Sequence, residues 1–155
     1  HTNWHLDLDA IDPDDAARAL VLWLNYPGNP TSTTAGPAEM ARTVAWGRER
    51  GVIVASDECY LEFPGEGEAQ GTAIATGTEG VLAVHSVSKR SNLAGFRAGF
   101  IAGDPALVGY LGLLPGLEPD LAEALGHVGH LHGLHDVHDR HVGRCRLHLH
   151  DAGPA

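Results

Sequence analysis

Residues 81–89 read Val-Leu-Ala-Val-His-Ser-Val-Ser-Lys, a short apolar run that passes into polar residues. The run predicts a buried β-strand, and the polar residues fall where that strand would end. Lys89 is the only lysine, because the other nine basic residues are arginines. Since arginine cannot replace a nucleophilic amine, Lys89 is the first candidate for chemistry.

Working outward, apolar runs alternate with helical patterns. The predicted strands are residues 19–24, 52–56, 81–85 and, shorter, 98–102. We expect the first of them to be buried on both faces. Helices are predicted from Asp12-Pro13, over residues 37–50, briefly at 72–76, and from Asp104-Pro105 to about Leu114. This alternation favours an α/β fold with a mostly parallel sheet and flanking helices.

Polar clusters follow three of the predicted strands. Asn29 comes after the first strand, Asp57 after the second, and Ser86 to Lys89 after the third. In sheets of this kind ligands bind outside the carboxyl ends of the strands. We therefore expect these side chains to share one site.

The candidate site residues offer an amine, a carboxylate, a phenol, an amide, hydroxyls and a guanidinium; they are Lys89, Asp57, Tyr60, Asn29, Ser86, Ser88 and Arg97. Such a set suits an aldehyde cofactor that carries a phosphate and a pyridine ring. An amine can bond to the aldehyde, and a carboxylate can keep the ring nitrogen protonated. Hydroxyls and a guanidinium can bind the phosphate.

The order Asn29-Pro-Thr, Asp57-x-x-Tyr60, Ser86-x-Ser88-Lys89 and then Arg97 resembles the class I/II pyridoxal-phosphate-dependent aminotransferases of fold type I. The flanking residues 4–11 and 22–31 are most similar to succinyldiaminopimelate aminotransferases. The resemblance covers about residues 2–115. It implies a central part of a cofactor-binding large domain over residues 1–115, with residues 116–155 as an unrelated tail rich in glycine and histidine.

The resemblance also implies roles for single residues. Lys89 would bond to pyridoxal 5'-phosphate and shuttle the proton, with Tyr60 beside it. Asp57 would pair with the pyridine nitrogen, while Asn29 and Tyr60 would contact the ring oxygen. The phosphate would be held by Ser86, Ser88 and Arg97.

The implied activity is transfer of an amino group from glutamate to a keto acid, N-succinyl-amino-ketopimelate in lysine biosynthesis. The partners would be small amino and keto acids and, in the full-length family, a second identical subunit. Family members are more than twice as long as 155 residues. They place a Gly-rich phosphate-binding turn before the segment that His1 begins and a small domain after residue 115. Ser32 is a local departure, because many relatives have glycine after Asn-Pro-Thr.

From Gly126 the pattern changes. Eight of the 11 histidines fall in residues 127–150, with no helical or strand period. The tail has three interpretations: it binds transition metals, it is solvated and inert, or it comes from a frame-shifted or degraded gene end. The rival functions are thus a catalytically dead remnant or a His-rich metal-binding protein.

Composition excludes other classes. The chain has 20 acidic and 10 basic residues, a net charge of −10, which argues against a nucleic-acid binder. No apolar run approaches ~18 residues, so no membrane helix is predicted, and no signal-peptide pattern follows His1. Cys59 and Cys145 form no metal or redox spacing, which indicates a reducing compartment, the cytoplasm.

Overall fold

The helices and strands occur in the predicted order in the computed structural model, which describes residues 4–63, 69–113, 117–118 and 146–147. The helices are α1 (Pro13–Arg18), α2 (Pro37–Arg50), α3 (Val87–Arg90) and α4 (Pro105–Leu111). The strands are β1 (Val21–Asn25), β2 (Ile53–Asp57), β3 (Val81–Ser86), β4 (Gly99–Gly103), β5 (Leu117–Glu118) and β6 (Arg146–Leu147). Short 3-10 turns cover Leu8–Ala10, Ala73–Thr76 and Ala94–Phe96.

Four strands form one sheet in the order β1-β2-β3-β4. The first three are parallel, and β4 runs antiparallel to β3. Asn25 pairs with Asp57, and Ser86 pairs with Gly99. The predicted α/β class with a mostly parallel sheet is confirmed.

Helix boundaries follow from local capping chemistry. The Asp12 carboxylate accepts from the backbone N–H groups of Asp14 and Asp15, and Pro13 begins α1. Gly51 ends α2 with a φ of 67°, a left-handed conformation in which a Cβ is costly. Asp104 caps α4 and also accepts from Gly80 N at 3.0 Å. The hydrogen bond from Gly80, together with those from the first turn of α4, lowers the pKa of Asp104.

The core lies between α2 and one face of the sheet. Met40 and Val44 from α2 pack with Leu24, Val54 and Val81 from three strands. Gly47 allows this close approach, since a Cβ there would lie 2.8 Å from the Val52 carbonyl oxygen and 2.6 Å from Val54 Cγ2. The same helix therefore stabilises all three parallel strands.

The first strand differs from the prediction that it is buried on both faces. Trp23 is 61% exposed and Val21 is 49% exposed, whereas Leu24 is buried. Strand β1 is the edge of the described sheet, and α2 covers only one of its faces. Continuous burial occurs instead in β2, where Val54, Ala55 and Ser56 are all buried.

Two further differences concern the C-terminal part. Helix α4 ends at Leu111, not near Leu114, because Gly112 caps it. Most of the predicted tail lies outside the described residues, except that β6 pairs antiparallel with β5.

Candidate active site at the carboxyl ends of the strands

The sheet brings the predicted polar residues to one edge. The parallel strands β1, β2 and β3 end at Asn25, Asp57 and Ser86, so their carboxyl ends lie side by side. Asp57 is half-buried, and its Oδ1 accepts from Cys59 N at 3.1 Å. This bond orients the carboxylate through its own backbone turn.

Asn25 links the first two strand ends, a role that the sequence analysis missed. Its Nδ2 donates to Asp57 O at 3.5 Å, while its Oδ1 accepts from Asn29 N at 2.9 Å. The loop after β1 is thus tied to the end of β2. Asn29 itself is exposed and lines a cleft of about 330 Å³ together with Pro27, Gly28 and Tyr60.

Lys89 and Tyr60 come together across the site. Lys89 Nζ lies 6.0 Å from the centre of the Tyr60 ring, and Tyr60 packs edge-on against Phe63 with ring centroids 6.4 Å apart. Lys89 is exposed on the short helix α3. Next to it, Arg90 forms an ion pair with Glu62, which connects α3 to the loop after β2.

Ser86, Ser88 and Arg97 line a second cavity of about 180 Å³, beside Cys59 and Phe100. Ser86 Oγ accepts from Ser88 N at 3.2 Å, so its hydroxyl proton is available to an oxygen of a ligand. Arg97 is exposed and adopts a φ of 49°. Its Nη1 donates to Ala94 O at 3.4 Å, which leaves further guanidinium donors for an anion.

Cys59 lies in this cavity but is chemically quiet. Burial, followed by the hydrogen bond and the charge of Asp57, raises the pKa of its thiol to about 12. The thiol therefore stays protonated at neutral pH, which makes it a poor nucleophile.

Beneath the site lies a buried acid that the sequence analysis did not single out. Glu58 is 1% exposed, and its Oε2 lies 3.3 Å from His85 Nε2. This contact gives the imidazole of His85, one residue before the end of β3, a buried partner. A signal was present in the sequence: an acid directly after the buried run of β2 needs partners.

No group of three or more His, Cys, Asp or Glu side chains that could hold a metal ion occurs among the residues described. The eight histidines after residue 126 fall outside that set, so metal binding by the tail stays a prediction. Within the described ranges, no helix has the length and apolarity that a membrane crossing requires.

Comparison with known proteins identifies the class. The family described as aminotransferase class I and II matches residues 1–115, and the chain belongs to this family. A 4-dedimethylamino-4-oxo-anhydrotetracycline transaminase from Streptomyces rimosus is 47% identical over 95 residues, covering 59% of this chain and 26% of that protein. An LL-diaminopimelate aminotransferase from Desulforudis audaxviator is 41% identical over 110 residues, 70% of this chain and 28% of its own length.

Solved structures give the same fold. A Thermus thermophilus protein described as a probable N-succinyldiaminopimelate aminotransferase superposes with a TM-score of 0.64 at 36% identity. The match covers 68% of this chain and 29% of that one. The matched segment thus spans between a quarter and a third of the length of these relatives.

Proposed function

We propose that these residues belong to an aminotransferase that moves an amino group between an amino acid and a keto acid. The observation that carries this proposal is the approach of Lys89 Nζ to within 6.0 Å of the Tyr60 ring centre, with Asp57 at the end of the adjacent strand β2. Membership of the aminotransferase family supports it independently. In this proposal residues 1–115 contribute part of the cofactor-binding large domain.

The residues present fit pyridoxal 5'-phosphate. When bound, it supplies an aldehyde for covalent attachment and an aromatic ring that accepts electron density from the reacting carbon. The donor set of the second cavity, two serine hydroxyls and a guanidinium, matches the chemistry of a phosphate group. Ser86, Ser88 and Arg97 would therefore hold the phosphate.

Lys89 has two tasks in this proposal. Its amine would hold the cofactor covalently, with loss of water, and would take and return the proton of the reacting carbon once the substrate's amino group had displaced it. Both tasks need a neutral amine.

The neighbouring side chains orient the ring. Asp57 uses one oxygen for Cys59 N, and its second oxygen can accept from a protonated pyridine nitrogen. The phenol of Tyr60 and the amide of Asn29 can donate to the ring oxygen, and both side chains line the same cleft. Fixing these groups before the reaction lowers the entropic part of its barrier.

The proposed substrates are glutamate and N-succinyl-amino-ketopimelate. They are supported by two relatives, one described as an LL-diaminopimelate aminotransferase and one as a probable N-succinyldiaminopimelate aminotransferase. Both descriptions name diaminopimelate, a dicarboxylic acid with amino groups, and glutamate belongs to the same chemical class. We further propose that the active protein is a homodimer.

Lys89 can be tested by chemical trapping. We expect borohydride to fix pyridoxal 5'-phosphate on Lys89 of the 155-residue chain, and Lys89→Ala to leave label only on the N-terminal amine. Peptide mass spectrometry locates the label. We expect weaker labelling of Lys89 in Arg97→Ala. We also expect no measurable amino transfer from glutamate by this chain alone, because its match covers under a third of the length of its relatives.

The class of substrate can be identified from how far it reduces trapping of the cofactor on Lys89. L-Glutamate should reduce trapping on Lys89 more than D-glutamate does, since free cofactor reacts equally with both enantiomers. Label confined to the N-terminal amine of the unmutated chain would refute the assignment of Lys89. Equal protection by the two enantiomers would refute a substrate site at this edge.

A further inference from the structure

Glu58 is a fully buried carboxylate that directly follows Asp57. Its Oε2 accepts from Thr72 Oγ1 at 2.7 Å and its Oε1 accepts from Ala73 N at 2.8 Å. The imidazole of His85 supplies the third partner at 3.3 Å. A buried carboxylate is tolerated only with such a set of donors, so the three contacts define one conformation for Glu58.

His85 lies on β3, directly before Ser86. Because its Nε2 faces a carboxylate, that nitrogen carries a proton and donates. The ring also stacks on Phe100 of β4, with centroids 4.7 Å apart and planes inclined by 13°. His85 and Phe100 are paired residues of the antiparallel strands β3 and β4. The imidazole is therefore held from two sides.

Backbone bonds complete the connection between the strand ends. Glu58 N donates to Val84 O at 2.9 Å, at the point where Asp57 pairs with Val84. The Glu58–His85 pair thus joins the residue after Asp57 to the residue before Ser86. Glu58 does not line the second cavity, so it can set the positions of these two neighbours without touching a ligand there, whereas His85 also lines that cavity.

We propose that Glu58 and His85 are positioning residues that fix Asp57 and the segment from Ser86 to Lys89 in the geometry that binds pyridoxal 5'-phosphate. This inference rests on the proposed function. It assigns to the buried Glu58–His85 contact the register between Asp57, which would face the ring nitrogen, and Ser86, which would face the phosphate. Loss of either partner leaves the other buried without its hydrogen bond, and the strand ends separate locally.

The first test uses the 155-residue chain without cofactor. In Glu58→Gln and in His85→Phe, which keeps an aromatic ring against Phe100, we expect the amides of Cys59 and Ser88 to exchange with solvent at least fivefold faster. These amides donate to Asp57 Oδ1 and Ser86 Oγ, so they report directly on the two neighbours. The amide of Val54, bonded to Gly80 O near the other end of β2, should change less than twofold.

Two control variants separate positioning from general destabilisation. Glu79→Gln makes the same chemical change at an exposed carboxylate and should leave all these amides unchanged. Val44→Ala opens a cavity in the core far from the strand ends and should accelerate Val54 as much as Cys59 and Ser88. Two results in the Glu58 and His85 variants would overturn the proposal. One is an unchanged amide exchange rate at Cys59 and Ser88. The other is an exchange rate at Val54 that rises as much as the rates at Cys59 and Ser88.

The second test measures the dissociation constant of pyridoxal 5'-phosphate by its absorbance. We expect at least a tenfold rise in Glu58→Gln and His85→Phe, and less than a twofold change in Glu79→Gln and Val44→Ala. If amide exchange at Cys59 and Ser88 is accelerated selectively but the dissociation constant of the cofactor is unchanged, the pair has no role in cofactor binding. If the unmutated chain binds no cofactor, the proposed function fails for this chain, while the exchange pattern still decides whether the pair fixes the strand ends.

Discussion

Ser32 follows Asn29-Pro30-Thr31 with a φ of 58°, in the left-handed region that non-glycine residues rarely adopt. This conformation suits the glycine that the family resemblance implies after Asn-Pro-Thr. Serine occupies this position at a cost in backbone strain. The presence of serine in place of glycine did not by itself reveal that strain. The loop nevertheless keeps its closing hydrogen bond from Ser32 N to Gly28 O at 2.8 Å.

We predict that Ser32→Gly changes the free energy of unfolding by less than about 1 kcal/mol, because relief of backbone strain and the added freedom of the unfolded chain nearly cancel. Ser32→Val should destabilise by roughly 1–2 kcal/mol, since a β-branched residue is poorly suited to positive φ. Urea unfolding followed by tryptophan fluorescence measures both. A valine variant as stable as the parent would show that the loop adopts another conformation.

The ionisation of Glu58 leads to a prediction about the stability of the fold at low pH. Burial alone would raise its pKa, but hydrogen bonds from His85, Ala73 and Thr72 outweigh burial and hold the pKa below its ordinary value of 4.5. A carboxyl group with a lowered pKa in the folded state stabilises fully above its unfolded pKa. That stabilisation is lost as pH falls below about 4.5 and through the folded pKa.

We therefore expect Glu58→Gln to reduce the free energy of unfolding at pH 7 and to flatten its decline as the pH falls below about 4.5. Glu79→Gln, at an exposed site, should follow the parent curve. Denaturant unfolding at a series of pH values gives these slopes. Parallel curves for Glu58→Gln and the parent would contradict the proposed ionisation of Glu58.

Helix α2 and strand β2 pack at their closest approach through Gly47. We predict that Gly47→Ala destabilises by about 1–3 kcal/mol, because the new methyl group meets the Val52 carbonyl oxygen and Val54. Gly109→Ala is a matched control in α4, where an added Cβ meets nothing within 4 Å. It should stabilise by up to about 1 kcal/mol through helix propensity.

Thermal unfolding of the two glycine variants provides the measurement. Opposite signs for Gly47→Ala and Gly109→Ala would confirm that α2 lies against β2 through this position. Equal stabilisation in both would mean that the helix sits further from the sheet than the structure shows.

At the scale of elements, the sequence predicted the helices and strands well where local chemistry decides them. Apolar runs gave the strands to within two residues, and the Asp12-Pro13 and Asp104-Pro105 pairs gave the helix starts. The exposure of β1 could not be predicted in this way, since an apolar run does not say whether a neighbour covers its second face. Trp23 lies within this apolar run and is exposed.

The candidate site shows the same division between features that local sequence predicts and features that depend on tertiary contacts. Chemistry and motif spacing pointed to Lys89, Asp57 and Tyr60, and the sheet places their segments at one edge. Asn25 and Glu58 were missed because their roles depend on partners far along the chain, Asp57 and His85. Such pairings are set by tertiary contacts, which leave little trace in local sequence patterns.

At the scale of the whole molecule, the outer edge of β1 governs association. Leu20, Val21 and Trp23 are 78%, 49% and 61% exposed beside an edge strand. Exposed apolar strand edges favour pairing with another chain. We predict that the 155-residue chain self-associates at micromolar concentration and that Trp23→Lys reduces this, because charge on an edge strand opposes pairing.

Sedimentation velocity would measure the association. Trp46→Lys is a control on α2, where the ring is half-buried under Arg50 at 4.7 Å, and it should leave association through the strand edge unchanged. A parent chain that sediments as a single monomeric species would contradict the prediction, as would equal effects of the two tryptophan variants.

The strand order β1-β2-β3-β4 is also the order of synthesis. Each strand can therefore add to the one made just before it, so no later strand of the described sheet must insert between earlier ones. Domains can fold as they emerge during translation. Among these four strands, Asn25 would therefore be in place before Arg97, which comes into position when β4 turns back along β3.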